Sequence, residues 1–521
     1  MFGSYFTINQ QLLIASVFVI ILLSIISNIY LKKTNFSVFI LFVGLALLKI
    51  MFIYFDPFVH TWDEQVHALV AKNLSNNFLK PTLFPQDILP YNHENWTGNY
   101  IWVHKQPLFL WQIALSFKIF GINTVAVRIP SVICSLLTLL FIFRISKLLY
   151  NEKTAFYAVL IFGSIHYLNE LLTGFYPTDH NDTVFVFYVT ASIWALVEHQ
   201  HAPEKKRWIL LIGLFAGCAI LTKYLTGLFV YAVWFAIKIQ GNFKDIFKFK
   251  NHLPFFLSFI ITVVVALPWQ LYILNHFPIE ARYEYEYNSK HFFEVIEGHE
   301  GGLLFYIHNL TYTLGRLLPY ALPFAVFFLW RDSKNKNISI ALILGILGVF
   351  VFFTIAKTKM VAFPLIVYPY LIIGCASGLN RVFDFIQQKT KASISKITIS
   401  ITLLLCSTLL LDIEKVQETH TNWKKNEVVY RDRQFYFRWL NICKQINHLN
   451  LDKDYIIFNC TNMRHIMVMF YTKHIAFWDV PSSYLIDIIT KHHKKAAVID
   501  DGNLPEEYKN NPQILVIKPE F

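Results

Sequence analysis

Residues 36–64 read FSVFILFVGLALLKIMFIYFDPFVHTWDE, an apolar run that ends in Asp63-Glu64 at the first sizeable polar loop. Roughly 20 apolar residues carry a helix across the hydrocarbon core of a bilayer, so residues 36–55 are expected to cross. A carboxylate at the hydrocarbon boundary must be hydrated, paired or put to use. Asp63-Glu64 is therefore the leading candidate for a chemical centre. Similar apolar runs recur along most of the chain; hydrophobic residues make up 55% of it and charged ones only 15%. That composition indicates a polytopic α-helical membrane protein. The net charge of +12 does not point to nucleic acid, because Lys and Arg sit in short clusters between apolar runs and not in an aromatic-interleaved stripe. The first apolar run lacks a basic leader and a small-residue cleavage site, so it is expected to remain as a helix.

Basic clusters at residues 32–33, 144–153, 205–207, 238–250, 331–336 and 381–396 alternate with the loops 56–106, 170–182 and 274–302, which are richer in acids, His and aromatics. The clusters mark the cytoplasmic face and place those loops, both termini and Asp63 outside. The expected spans are 11–31, 36–55, 124–148, 154–172, 183–200, 207–222, 225–240, 253–273, 303–330, 338–356, 360–378 and 396–412, with 107–120 too short to cross and read as an interfacial or re-entrant helix. Residues 1–414 thus form a multi-span domain. From 415 to 521 strand-like runs at 455–458, 475–478, 496–499 and 514–517 alternate with helical segments near 430–448, 461–471 and 483–493, the pattern of a small external α/β domain. Cys443 and Cys460 fall in that part, where an oxidising compartment favours a bridge between them.

The apolar spacing of residues 65–74 suits a helix lying on the membrane surface. Asp63 and Glu64 would stand at its N-terminal end, where the helix dipole favours negative charge; capping and catalysis both remain open. Lys105 next to His104, Asp182 at the entry of a span, Lys223, and the pair Lys357 and Lys359 recur at outer ends of separate segments. A lone Lys there ordinarily snorkels toward headgroups. Together with carboxylates at the same depth, these lysines suit an anionic lipid headgroup: ammonium groups neutralise a phosphate, and a carboxylate takes a proton from an incoming nucleophile. The third outer loop adds Tyr287, His291, Glu297 and His299 and ends in Gly301-Gly302, as a mobile lid would. A divalent metal is an open option, with His104, His291 and His299 as candidate ligands, although their spacing is not that of a zinc motif.

These residues resemble the dolichyl-phosphate-mannose protein mannosyltransferase superfamily, in particular bacterial members related to the lipid A aminoarabinose transferases. The likeness runs in family order over about residues 50–375: Trp62-Asp63-Glu64, His104-Lys105-Gln106-Pro107-Leu108, Phe120-Gly121-Ile122-Asn123 with Ala126-Val127-Arg128-Ile129-Pro130-Ser131, Asp182 with Phe187-Tyr188, Leu221-Thr222-Lys223, and Glu297-Gly298-His299. It implies the glycosyltransferase C fold and transfer of a sugar from a polyprenyl-phosphate carrier to a lipid, glycan or protein acceptor at the outer face of the cytoplasmic membrane. It further implies Asp63 as the catalytic acidic residue, Lys105 as a contact to the donor phosphate and Asp182 as a second acidic site residue. Gln106 stands where relatives have Pro, Tyr224 where they have Gly and His291 where many have Arg. Histidine lacks the guanidinium fork that holds a phosphate through two bonds.

Two other classes compete. A lipid-linked sugar transporter or flippase would also have many spans and charges at the membrane edge, but it would place them near mid-membrane on broken helices within paired halves. No internal repeat is present to suggest this. A structural membrane subunit with an external receptor domain is the third, and only the C-terminal domain speaks for it.

Overall fold

In lipid a backbone amide finds no water, so a long apolar run must bond within itself as a helix. The computed structural model describes residues 7–31, 34–175, 180–241, 249–389, 398, 402, 433–461 and 463–519. The span expected over 396–412, apart from residues 398 and 402, the boundary at 414/415 and loop residues 176–179 lie outside the described residues. Seven helical stretches among the described residues are long and apolar enough to cross a membrane: Ile8–Leu31, Asn35–Ile53, Thr124–Leu149, Arg207–Ile239, His252–His276, Lys336–Ile355 and Phe363–Ile386. The protein is a multi-pass membrane protein. The Arg207–Ile239 stretch contains a reversal: Tyr224 has φ 56°, and a Cβ on Gly227 would overlap the backbone of Ala219 and Ile220, which a continuous helix would carry away from it. The expected span at 303–330 is broken instead. Short helices Phe305–His308 and Leu310–Leu314 precede Gly315, and a regular helix resumes only at Leu318–Arg331.

The chain divides into two compact units, one of Met1–Phe55, Ser131–Tyr272 and Tyr285–Gln417, the other of Asp56–Pro130, Ile273–Glu284 and Glu418–Phe521. In the first unit, Gly213 and Gly217 let the Arg207–Lys223 helix approach the Phe249–His276 helix so closely that a Cβ at either would overlap Ser258, Ile261 or Val265. Small residues four apart are the usual means of such contact in lipid. The expected span 154–172 is bent by 58° between Glu152–Ser164 and His166–Thr173. The bend frees carbonyls that Asn169 recovers, its amide donating to the oxygens of Gly163 at 3.2 Å and Ile165 at 3.1 Å. The Asn169 side-chain oxygen in turn accepts from the buried Lys49 ammonium at 2.9 Å, so a lysine inside an apolar run is paired.

In the second unit, β1 (Tyr455–Phe458), β2 (Lys495–Ile499) and β3 (Ile514–Ile517) form a parallel sheet in that order. The run at 475–478 is no full strand; it meets β1 through a single bridge from Ala476 to Ile457. Cys443 and Cys460 are buried free thiols, so the bridge between them is not formed. The Asp63–Leu74 helix does not lie on a membrane surface. It is buried from Glu64 to Ala71, and packs on the Leu108–Phe120 and Arg464–Tyr471 helices. Lys72 donates to the carbonyls of Met469, Phe470 and Thr472 at 2.6–3.0 Å, capping the Arg464–Tyr471 helix, and the His67 ring meets Phe109 edge-on.

The loop leading into that helix is held by a fully buried ion cluster. Arg128 donates through Nε to Glu64 Oε1 at 2.7 Å and through Nη2 to Oε2 at 3.1 Å, while its remaining hydrogens reach the carbonyls of Asp56 at 2.6 Å and Phe58 at 2.8 Å. His60 lies between Glu64 at 3.0 Å and Asp56 at 3.2 Å. Burial works against a charged imidazole, yet the hydrogen bonds and negative charge of Asp56 and Glu64 prevail and raise the His60 pKa above its ordinary 6.5. Removing one partner of a buried pair strands the other charge, at a cost of about 3–5 kcal/mol. Arg128→Met is therefore expected to lower the unfolding temperature of detergent-solubilised protein markedly, and Arg128→Met with Glu64→Gln to recover part of the loss. Because the folded state binds the His60 proton more tightly, its contribution is complete below pH 6.5 and is lost as pH rises through the raised folded value. Thermal unfolding followed from mildly acidic to alkaline pH should show this decline in wild type and a flatter curve in His60→Asn.

Candidate active site

In the second unit, Asp63 opens its helix directly after Trp62, whose backbone stands at φ 69° and ψ −125°. Asp63 is half-buried, at the helix end where a carboxylate is favoured. Glu64, read with Asp63 as a catalytic pair, has another role: it is fully buried and bonded to Arg128 and His60, a placement that anchors the loop and leaves no approach for a substrate. Lys105 is half-buried and has no hydrogen-bond or ion-pair partner among the described residues, so its charge is available. His104 bonds both oxygens of Glu284, at 3.1 and 2.9 Å, and its ring stacks on Trp96. Trp96 also stacks on the exposed Trp62.

In the first unit, the Lys223 ammonium pairs with Asp182. Asp182 is buried at the start of the His180–His201 helix, and its neighbour His180 bonds Ser131 at 2.7 Å. Asp182 also lines a cleft with Ser135, Thr138, Phe162 and Val186. Much of the outer loop 274–302 is the Pro278–Phe293 helix, and its end is not loose. The backbone amides of Lys357, Thr358 and Lys359 donate to the carbonyls of Phe292, His291 and His299, and the Thr358 hydroxyl both donates to the Glu294 carbonyl and accepts from the Ile296 amide. The expected lid is thus stitched down through residue 299. Glu297 accepts from the Tyr287 hydroxyl at 2.9 Å, and His291 meets the Tyr287 ring edge-on. Lys359 points away from a ligand role: its ammonium is buried and reaches the carbonyls of Thr354 and Ala356, capping the Lys336–Ile355 helix. Lys357 is exposed. Among the described residues, no three His, Cys, Asp or Glu side chains are gathered as a metal would require, so His104, His291 and His299 do not form a ligand set there.

Sequence reading passed over the roles of Arg128, His60, Asp56 and Glu284. For Arg128 a signal was present: a single arginine near the start of an apolar run needs a buried acid. For Glu284, 180 residues from His104, no local signal existed.

Residues 104–271 match the family described as dolichyl-phosphate-mannose-protein mannosyltransferase. An undecaprenyl phosphate-alpha-4-amino-4-deoxy-L-arabinose arabinosyl transferase of Edwardsiella ictaluri (strain 93-146) is 28% identical over 52% of this chain and 49% of its own, so the chain spans about half the length of the curated transferases of this kind that it matches. Among solved structures, ArnT from Cupriavidus metallidurans bound to undecaprenyl phosphate superposes with a TM-score of 0.61 at 14% identity, covering 88% of both chains. The oligosaccharyltransferase AglB from Archaeoglobus fulgidus, in complex with an inhibitory peptide and a dolichol-phosphate, gives 0.53 at 11% identity over 86% of this chain and 65% of that one. At these identities the structural likeness establishes the fold, which is the glycosyltransferase C fold. Residues 104–271 are thus similar to the dolichyl-phosphate-mannose-protein mannosyltransferase family, within a chain that has the glycosyltransferase C fold.

Proposed function

We propose that this protein is a membrane glycosyltransferase of the inner membrane that moves a sugar from a polyprenyl-phosphate carrier to a lipid, glycan or protein acceptor on the extracytoplasmic side. The observation that carries the proposal is the placement of Asp63, half-buried at a helix N-terminus in a loop anchored by the buried Glu64–Arg128 pair. A carboxylate in that position is suited to act as general base. It accepts the proton of the acceptor nucleophile as a bond forms to the anomeric carbon; the bond from that carbon to the phosphate oxygen breaks, and the prenyl phosphate leaves with the electron pair. A phosphate that gains charge as it leaves is stabilised by fixed cations. Lys105, in the same unit as Asp63 and with no partner among the described residues, is the candidate for that role.

Full-length protein in detergent, given radiolabelled undecaprenyl-phosphate 4-amino-4-deoxyarabinose or polyprenyl-phosphate mannose with an envelope lipid extract, should turn over one of the two donors. Asp63→Asn should cut transfer about 10²–10⁴-fold, the usual worth of a general base; unchanged turnover would remove Asp63 from the chemistry. Lys105→Ala should raise the donor KM about tenfold to a hundredfold, as expected for loss of one charge-assisted contact of about 1.5–3 kcal/mol, and a KM equal to wild type would exclude it from phosphate binding.

A further inference from the structure

Trp62 is a non-glycine residue held at φ 69°, a conformation that costs on the order of 1–3 kcal/mol and persists only where its surroundings impose it. It is the residue directly before Asp63. After it, Glu64 locks the chain through Arg128. Before it, the restraints come from the far end of the sequence. The Val59 amide donates to the Tyr471 hydroxyl at 2.9 Å, and the Thr61 amide donates to the Tyr436 hydroxyl at 2.9 Å. The Thr61 hydroxyl is also bonded to that of Tyr436 and accepts from Arg464 Nη2 at 3.1 Å. The Tyr436 ring lies flat on Phe58, with centroids 4.5 Å apart and planes 5° from parallel. The Arg464 guanidinium covers the rings of Phe435 and Tyr436 at 4.4 and 5.0 Å, a cation–π arrangement that fixes both. Tyr436 and Arg464 are each only 2% exposed. A C-terminal domain that merely packed over the outer loops would need apolar contact. Here it satisfies the backbone of the loop two residues before the proposed base.

We infer that Tyr436 and Arg464 are positioning residues for Asp63, so that the C-terminal segment is a working part of the transferase and not an appended module. The inference rests on Asp63 being the general base. Its physical content is geometric. Without the Tyr436 and Arg464 bonds, Thr61 and Trp62 relax toward ordinary backbone angles, and the Asp63 carboxylate turns away from the acceptor while the donor phosphate contacts stay in place. The signature is a loss in kcat at constant donor KM.

The test uses full-length protein and the donor turned over above, with kcat, KM and unfolding temperature measured for Tyr436→Phe, Arg464→Lys, Val498→Ala and Asp63→Asn. Tyr436→Phe keeps the ring on Phe58 and loses only the hydroxyl. It should lower kcat about tenfold to a hundredfold, the scale of a misplacement of about 1 Å, with donor KM within about twofold and nearly wild-type unfolding temperature. Arg464→Lys keeps the charge but not the planar stack, and should lose kcat to a lesser degree. Val498 is buried in β2, so Val498→Ala should lower the unfolding temperature and leave kcat intact, separating positioning from general stability. Wild-type kcat in Tyr436→Phe and Arg464→Lys beside inactive Asp63→Asn would overturn this inference alone. So would losses that merely track unfolding. Full turnover in Asp63→Asn would overturn the proposed base and this inference together.

Discussion

The second unit depends on one buried interaction, the pairing of Arg128 with Glu64. The guanidinium uses its donors on the Glu64 carboxylate and on the carbonyls of Asp56 and Phe58, so a single side chain closes the turn from residue 56 to residue 64. An ion pair this deep is no gain in stability by itself, since desolvation offsets most of the attraction. Its effect is specificity: with Glu64 held on Arg128 and His60, the first turn of the Asp63–Leu74 helix has one register, and Asp63 has one direction. The cost of the strained Trp62 backbone is absorbed by the same bonds, together with those from Tyr436 and Arg464.

Lysines illustrate how the same residue type is put to different uses. Lys49 pairs with Asn169 at a helix bend, Lys72 caps a helix of the C-terminal segment, and Lys359 caps the end of the Lys336–Ile355 helix. Lys72 and Lys359 resolve unsatisfied backbone carbonyls, which a membrane protein must do wherever a helix stops. Lys105 and Lys357 are not consumed in this way. The stitching of residues 291–299 to Lys357–Lys359 by backbone bonds has a related consequence: the element expected to move as a lid is a wall, and Gly301-Gly302 follow it outside the pinned stretch.

Much of the architecture was legible from local pattern. Apolar runs, their length and the alternation of basic clusters announce helices that cross a membrane, because hydrogen bonding within a run and the width of the bilayer are both local constraints. The helix after Asp63, the strands at 455–458, 496–499 and 514–517 and the helices between them also appear where periodicity puts them. What periodicity mistook was environment. Residues 65–74 carry the spacing of a surface helix, and protein, not lipid headgroups, covers them. The run at 303–330 is mostly apolar, yet Gly315 at φ 79° divides it. Composition alone gives such a glycine little weight.

The sequence by itself determined the membrane class, the helical and α/β elements and the list of ionisable residues at span ends, since each depends on neighbours a few positions away. Only the tertiary structure decided which of those residues are spent and which remain for chemistry. Glu64 and Asp63 are adjacent and chemically alike, yet Glu64 is fully buried against Arg128, 64 positions along the chain, while Asp63 is only half-buried. That difference follows from where a guanidinium can reach once helices have packed, a long-range geometric fact that no local spacing encodes.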